Sequence, residues 1–149
     1  MVSALILSLA WASPALAAPP PGEPAAAAGQ TFDFRGRVAC LDPAGQRQAC
    51  GAAARRFALE TTDGKLHPFL ASDPLAAIFE DPRVRGQEVA VRARPRPDGA
   101  LEIVKVHSVK QGKLHDVHYF CEVCNITAYA PGLCPCCRRE MELEETPVP

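Results

Sequence analysis

The sequence predicts an all-β chain: a small barrel of five strands with one short helix, followed by a compact cysteine-rich module at the C-terminus. Three observations lead there. Apolar side chains alternate with polar ones in successive stretches between residues 31 and 112, Asp-Gly pairs stand where tight hairpins turn, and residues 113–145 hold five of the seven cysteines.

Before the barrel, Ala4 to Trp11 is an apolar run too short to span a bilayer, and Ala15-Leu16-Ala17 is a small-residue cleavage pattern. The expectation is a signal peptide over 1–17, cut after Ala17, although no Lys or Arg precedes Arg35. Pro19 to Ala28, PPPGEPAAAA, has no hydrophobic periodicity and reads as part of a disordered Pro/Ala linker over 18–30. An exported chain of this kind is periplasmic or secreted, with no membrane span in its mature form.

The strands follow in order. Thr31 to Cys40 alternates, with Phe32, Phe34, Val38 and Cys40 on one face and Asp33, Arg35 and Arg37 on the other. Leu41 to Ala54 carries loop signals, Asp42-Pro43, Gly45 and Gly51. Arg55 to Thr62 is a second strand, and Asp63-Gly64 turns it into a third, Lys65 to Leu70. Ser72-Asp73-Pro74 caps a short helix, Leu75 to Glu80, which Asp81-Pro82 stops. Gly86 to Arg94 is the fourth strand, with Val89, Val91 and Ala93 inward, and Asp98-Gly99 turns into the fifth, Leu101 to Val109. In this last strand the apolar residues change face between Ile103 and Val104, so it is either buried on both sides or bulged near Ile103.

Five strands with a helix between the third and fourth resemble the OB-fold, here over 31–112; an unclosed meander of five strands is the rival arrangement. Arg35, Arg37, Arg92 and Arg94 face outward on strands that are neighbours in such a barrel, interrupted by Asp33, Glu88 and Glu102. A net charge of −1 and few aromatics outside the core argue against nucleic acid as a partner. Cys40 and Cys50 flank the first loop, and in an exported protein they are expected to close it as a disulfide worth about 2–3 kcal/mol.

The module over 113–145, with 146–149 as a tail, reads C-x-x-C, nine residues, then C-P-C-C. Two paired-cysteine turns joined by a short loop aim four sulfurs at one point, so Cys121, Cys124, Cys134 and Cys137 are the expected ligands of a zinc-knuckle or zinc-ribbon-like site. A segment this small lacks the apolar surface to hold itself together, and a metal about 2.3 Å from each sulfur would supply the folding energy. Zinc is the expected ion; iron has the same ligand set in rubredoxin-like centres. Asn125, after the first pair, tolerates a left-handed backbone, whereas Arg138, after the second, suits one less well. Cys136 is left over, either a spare thiol or a ligand exchanging with Cys137.

Tyr119, Cys121, Pro131, Gly132, Cys134, Pro135 and Cys137, with Met141 and Leu143 beyond, resemble the heavy-metal-binding modules of bacterial metal-resistance proteins. Those have His where this chain has Cys124, and Gly where it has Arg138. His115-Asp116 followed by Tyr119 after an OB-like barrel is also similar to the periplasmic haem chaperone of cytochrome c maturation. That resemblance implies capture of haem by His115 with Tyr119 beside it. The residues themselves read first as a connector and second as auxiliary partners of the metal.

No catalytic set can be assembled from these motifs, so a non-enzymatic metal-binding protein with a periplasmic protein partner is the leading expectation. A haem or metal chaperone using His115 and Tyr119, and a thiol-disulfide redox protein, are the alternatives.

Overall fold

The computed structural model describes residues 29–51 and 54–149, so the expected signal peptide over 1–17 and nearly all of the linker over 18–30 lie outside the described residues. Among the described residues no helix is long and apolar enough to cross a membrane.

The architecture is a mostly antiparallel sheet of nine strands. They are β1 (Phe32–Leu41), β2 (Arg47–Gln48), β3 (Phe57–Thr61), β4 (Leu66–Pro68), β5 (Glu88–Pro95), β6 (Leu101–Lys110), β7 (Lys113–Cys121), β8 (Ile126–Ala128) and β9 (Glu142–Pro147). Their order is β4-β3-β1-β5-β6-β7-β8, with β2 added to β1 and β9 to β7. Strand β1 is the pivot. Its first half pairs with β5, from Phe32↔Ala93 to Arg37↔Glu88, and its second half pairs with β3, from Gly36↔Thr61 to Cys40↔Phe57. The two pairings overlap at Gly36 and Arg37, and at Gly36 a Cβ would lie 2.0 Å from the Glu60 carbonyl oxygen, so only glycine allows β3 to approach this closely.

The five strands of the barrel region thus run third-second-first-fourth-fifth, in an open path. The only backbone link between its two ends among the described residues is the isolated parallel bridge Phe69↔Leu101, with the Leu70 N–H donating to the Leu101 carbonyl at 2.9 Å. The third strand is just three residues long, too short to continue a ladder against the fifth. The regular ladders thus show an open sheet, with that one bridge across the gap between the third and fifth strands.

The bulge near Ile103 is present: Arg92 pairs with Lys105 and Ala93 with Ile103, leaving Val104 as the extra residue. It keeps Leu101, Ile103 and Val106 buried on one side despite the change of phase in the sequence. The Ile103 N–H donates to the Asp73 carboxylate at 2.6 Å, and the same side chain caps the helix through the Leu75 N–H. That helix is a 3-10 helix, Pro74–Glu80, and it inserts Ile78 and Phe79 into the core against Phe57 and Phe69. Asp81 ends it but also starts a four-residue helix, α1 (Pro82–Arg85). The loop after β1 carries the Cys40–Cys50 disulfide as expected.

The segment from His115 to Tyr119 is not a connector. It belongs to β7, whose first residues pair with β6, whose last residues pair with β8, and whose other edge carries β9. The residues alternate accordingly: Val117, Tyr119 and Cys121 are buried, with Asp116, His118 and Phe120 between them on the opposite face. The acidic C-terminal stretch pairs along β7 as far as His115↔Pro147, and the Val148 N–H reaches the Leu114 carbonyl at 2.9 Å. One contiguous apolar cluster results, running from Val38, Leu59 and Val91 through Val117 and Tyr119 to Cys121, Cys134 and Met141.

Candidate metal centre

Strand β7 delivers Cys121 from its last position, and the chain then makes two turns of the same build. In the first, the Asn125 N–H donates to the Cys121 carbonyl at 2.7 Å; in the second, the Arg138 N–H donates to the Cys134 carbonyl at 3.0 Å. Each turn closes on a residue in the left-handed region, Asn125 at φ 55° and Arg138 at φ 62°. Arg138 adopts this conformation as Asn125 does, despite its unfavourable side chain. The Cys134 N–H donates to the Arg139 carbonyl at 2.7 Å, and an isolated bridge joins Leu133 to Glu140. The second turn is thereby a miniature hairpin that returns the chain to β9.

The four sulfurs of Cys121, Cys124, Cys134 and Cys137 all lie within 4.8 Å of one another, and those of Cys121 and Cys137 are 3.5 Å apart. A tetrahedron with metal–sulfur bonds of about 2.3 Å has edges of about 3.8 Å, so this spacing is that of a four-thiolate cage. Cys121 and Cys134 are buried, while Cys124 and Cys137 are partly exposed.

Backbone N–H groups favour the thiolate at two of the sulfurs, and at one of them, Cys134, they prevail. The Cys137 N–H, and after it that of Cys136, donates to the Cys134 sulfur and brings its pKa down to about 7, against the opposing effect of burial. At Cys121 the Cys124 N–H favours the thiolate, but burial and the neighbouring sulfurs of Cys134 and Cys137 outweigh it and push the thiol up. Cys124 is pushed up as well, by the neighbouring thiols of Cys136 and Cys137 and by burial. Sulfurs this crowded resist sharing negative charge, and a cation at their centre removes the conflict.

The remaining candidates fall elsewhere. Tyr119 is 1% exposed, its ring lies in the core, and its hydroxyl donates to the Asp81 carboxylate at 2.8 Å. His115 Nδ1 lies 3.2 Å from the Lys113 carbonyl, and His118 Nε2 lies 3.2 Å from Glu144 across the β7–β9 pair. Neither histidine belongs to the sulfur cluster among the described residues. The outward arginines do meet on adjacent strands, but Arg92 is held in a two-pronged pair by Asp33 at 2.9 and 3.1 Å, and Arg94 by Glu102 at 3.2 Å. The charges of these two are paired within the sheet.

Two features escaped the sequence reading. Asp81, a buried residue, binds the backbone and guanidinium of Arg83 and the hydroxyl of Tyr119, so it links the helices to β7, the strand that carries Cys121. The Asp81-Pro82 pair was the available signal, and as a helix stop it had a sufficient local explanation. Glu145 of β9 accepts from Gln87 Nε2 at 2.8 Å and from Lys110 Nζ, tying the last strand to the barrel region. Nothing in its sequence context separates it from the other glutamates around it.

Comparison with protein-family models, with curated proteins and with solved structures finds no match for this chain.

Proposed function

We propose that this chain is an exported, non-enzymatic zinc-binding protein of the periplasm or extracellular space. An OB-like barrel serves as platform for a four-thiolate site that presents the module to a protein partner. The observation that carries the reading is the convergence of Cys121, Cys124, Cys134 and Cys137 within 4.8 Å. Four thiolates complete a tetrahedral shell and leave no position for an activated water, which favours holding an ion over catalysis. The Cys40–Cys50 disulfide is consistent with an oxidising compartment. The barrel assignment draws on the third-second-first-fourth-fifth strand order, the helix after the third strand and the parallel contact between Phe69 and Leu101. A role in heavy-metal handling follows from the resemblance of the cysteine segment to metal-resistance modules.

Metal content, free thiols and the absorption spectrum of the purified chain, measured together, test this. One zinc per chain and a colourless protein are expected. A visible thiolate-to-iron band would replace zinc by iron, and a metal-free chain with its cysteine pairs oxidised would replace metal binding by thiol-disulfide chemistry.

A further inference from the structure

The chain carries one closed disulfide, Cys40–Cys50, and five free thiols, all of them in the C-terminal module. Conditions that close the first pair also bear on the others, four of which stand crowded together. One contact in this crowd crosses between the two turns. Cys121 ends β7 and Cys137 follows sixteen residues later in the second turn, and their sulfurs are 3.5 Å apart. Bonded sulfurs are about 2 Å apart, so a closure of about 1.5 Å, shared by two side chains, joins them. Each turn is meanwhile fixed by its own backbone hydrogen bond, from the Asn125 N–H to the Cys121 carbonyl and from the Arg138 N–H to the Cys134 carbonyl. The two sulfurs also differ in access. Cys137 is partly exposed, while Cys121 is buried, so an oxidant from solvent reaches Cys137 first.

We propose that Cys121 and Cys137 form a disulfide in exchange for the bound ion, so that release of the ion is a response to oxidation. The inference rests on the metal reading above and adds its regulation: the site holds a thiophilic divalent cation until a disulfide-bearing oxidant arrives. The thiolate is both the metal ligand and the nucleophile of disulfide exchange, so an ion that keeps Cys137 ionised also keeps it in the reactive form. Cys137 attacks the oxidant's disulfide, forms a mixed disulfide and releases one thiolate. Cys121, in contact with the Cys137 sulfur, then displaces the second thiolate and closes the bond. Two electrons pass from the protein sulfurs to the oxidant, whose two thiolates take protons from solvent. The ion, left with two of its four thiolates, departs to solvent. The new bond ties the end of β7 to the second turn, the two parts that the ion held, so the module keeps a cross-link in both states.

The full chain is loaded with Zn²⁺ and titrated with oxidised glutathione, while released zinc is read with a chromogenic indicator and free thiols are counted. One zinc is expected to leave for every two thiols lost, so that three of the five remain. The bond is located by peptide mapping in Cys136→Ser, which removes the adjacent thiol and leaves the four clustered sulfurs in place. A bond between Cys121 and Cys137 is expected. The proposal is overturned if the bond joins any other pair, Cys121 to Cys124 or Cys134 to Cys137 included, or if zinc stays bound under a large excess of oxidised glutathione. A reduced chain that takes up no zinc at the outset removes the metal reading itself, an outcome distinct from either of these.

Discussion

Asp81 illustrates how one side chain joins the chemistry of a site to the stability of its support. It is 6% exposed, and burial pushes its carboxyl up, but Arg83's guanidinium and backbone N–H together with the Tyr119 hydroxyl outweigh this and hold it below the ordinary carboxylate range. A carboxyl whose pKa is lower in the folded state contributes stability above its unfolded value, about 3.9, and loses that contribution as pH falls through the folded value. Asp81→Asn should therefore destabilise the protein at neutral pH, with the gap from wild type narrowing below about pH 4. Denaturant titrations over that range check it, and a gap independent of pH would refute the assignment. Tyr119→Phe removes one hydrogen bond to a charged group while Arg83 stays in place, a loss of about 1.5 kcal/mol. Arg138 gives the opposite case. At φ 62° it occupies a conformation that glycine enters freely, so Arg138→Gly should stabilise the metal-loaded protein by about 0.5–1 kcal/mol. An unchanged denaturation midpoint would mean that the Arg138 side chain compensates for its backbone.

At the scale of elements, β9 matters because it covers an edge. Strand β7 carries Cys121 at its end, and an uncovered edge would leave its N–H and C=O groups without partners. Glu145 fastens β9 to the barrel region through Gln87 and Lys110. Burial pushes its carboxyl up, but its bonds from Lys110 and Gln87 help hold it below its ordinary value. Glu145→Ala should cost about 1–3 kcal/mol, the range for hydrogen bonds to charged groups that are partly buried, and should loosen β9 before the barrel strands. Amide exchange that rises at residues 142–147 and not in β1 or β5 is the expected pattern. The same elements show what could be read in advance. Strand β6 and the inward residues of β5, Val89, Val91 and Ala93, write their alternation directly in residue type, whereas β1 and β3 carry runs buried on both faces, Val38 to Leu41 and Phe57 to Leu59. Strand β7 has that alternation too, but its His-Asp-x-His-Tyr segment invited a motif reading that concealed the pattern. Strand β9 has little apolar content and exists because β7 offers an edge; that is a property of the partner and not of ELEETP itself. The four clustered cysteines were legible because the spacing within each pair is local.

For the molecule as a whole, the question is whether the cysteine module is an appendage or part of the fold. The buried residues answer that it is continuous: Cys121, Cys134 and Met141 lie in the same apolar cluster as Leu59 and Val91, with Tyr119 between them. Binding an ion to the native state alone adds stability that grows with occupancy, about 4 kcal/mol when free metal stands a thousandfold above its dissociation constant. Chelation should remove that increment and shift the denaturation midpoint accordingly. Its effect should be graded along the chain. The last turn of β7, β8 and the 134–137 turn have the cage as their nearest constraint, and β9 follows through its pairing with β7, so amides over 119–147 should lose protection first. Strands β1, β5 and β6 keep their long ladders and their own core residues, Val89, Val91 and Val106, and should hold. Hydrogen exchange before and after chelation, with metal loss verified and no reductant added so that the Cys40–Cys50 bridge stays closed, distinguishes the possibilities. Uniform loss of protection would mean that the sheet as well as the module depends on the ion. Unchanged protection over 119–147 would mean that apolar packing around Tyr119 and Met141 holds the turns by itself and that the sulfurs converge for another reason.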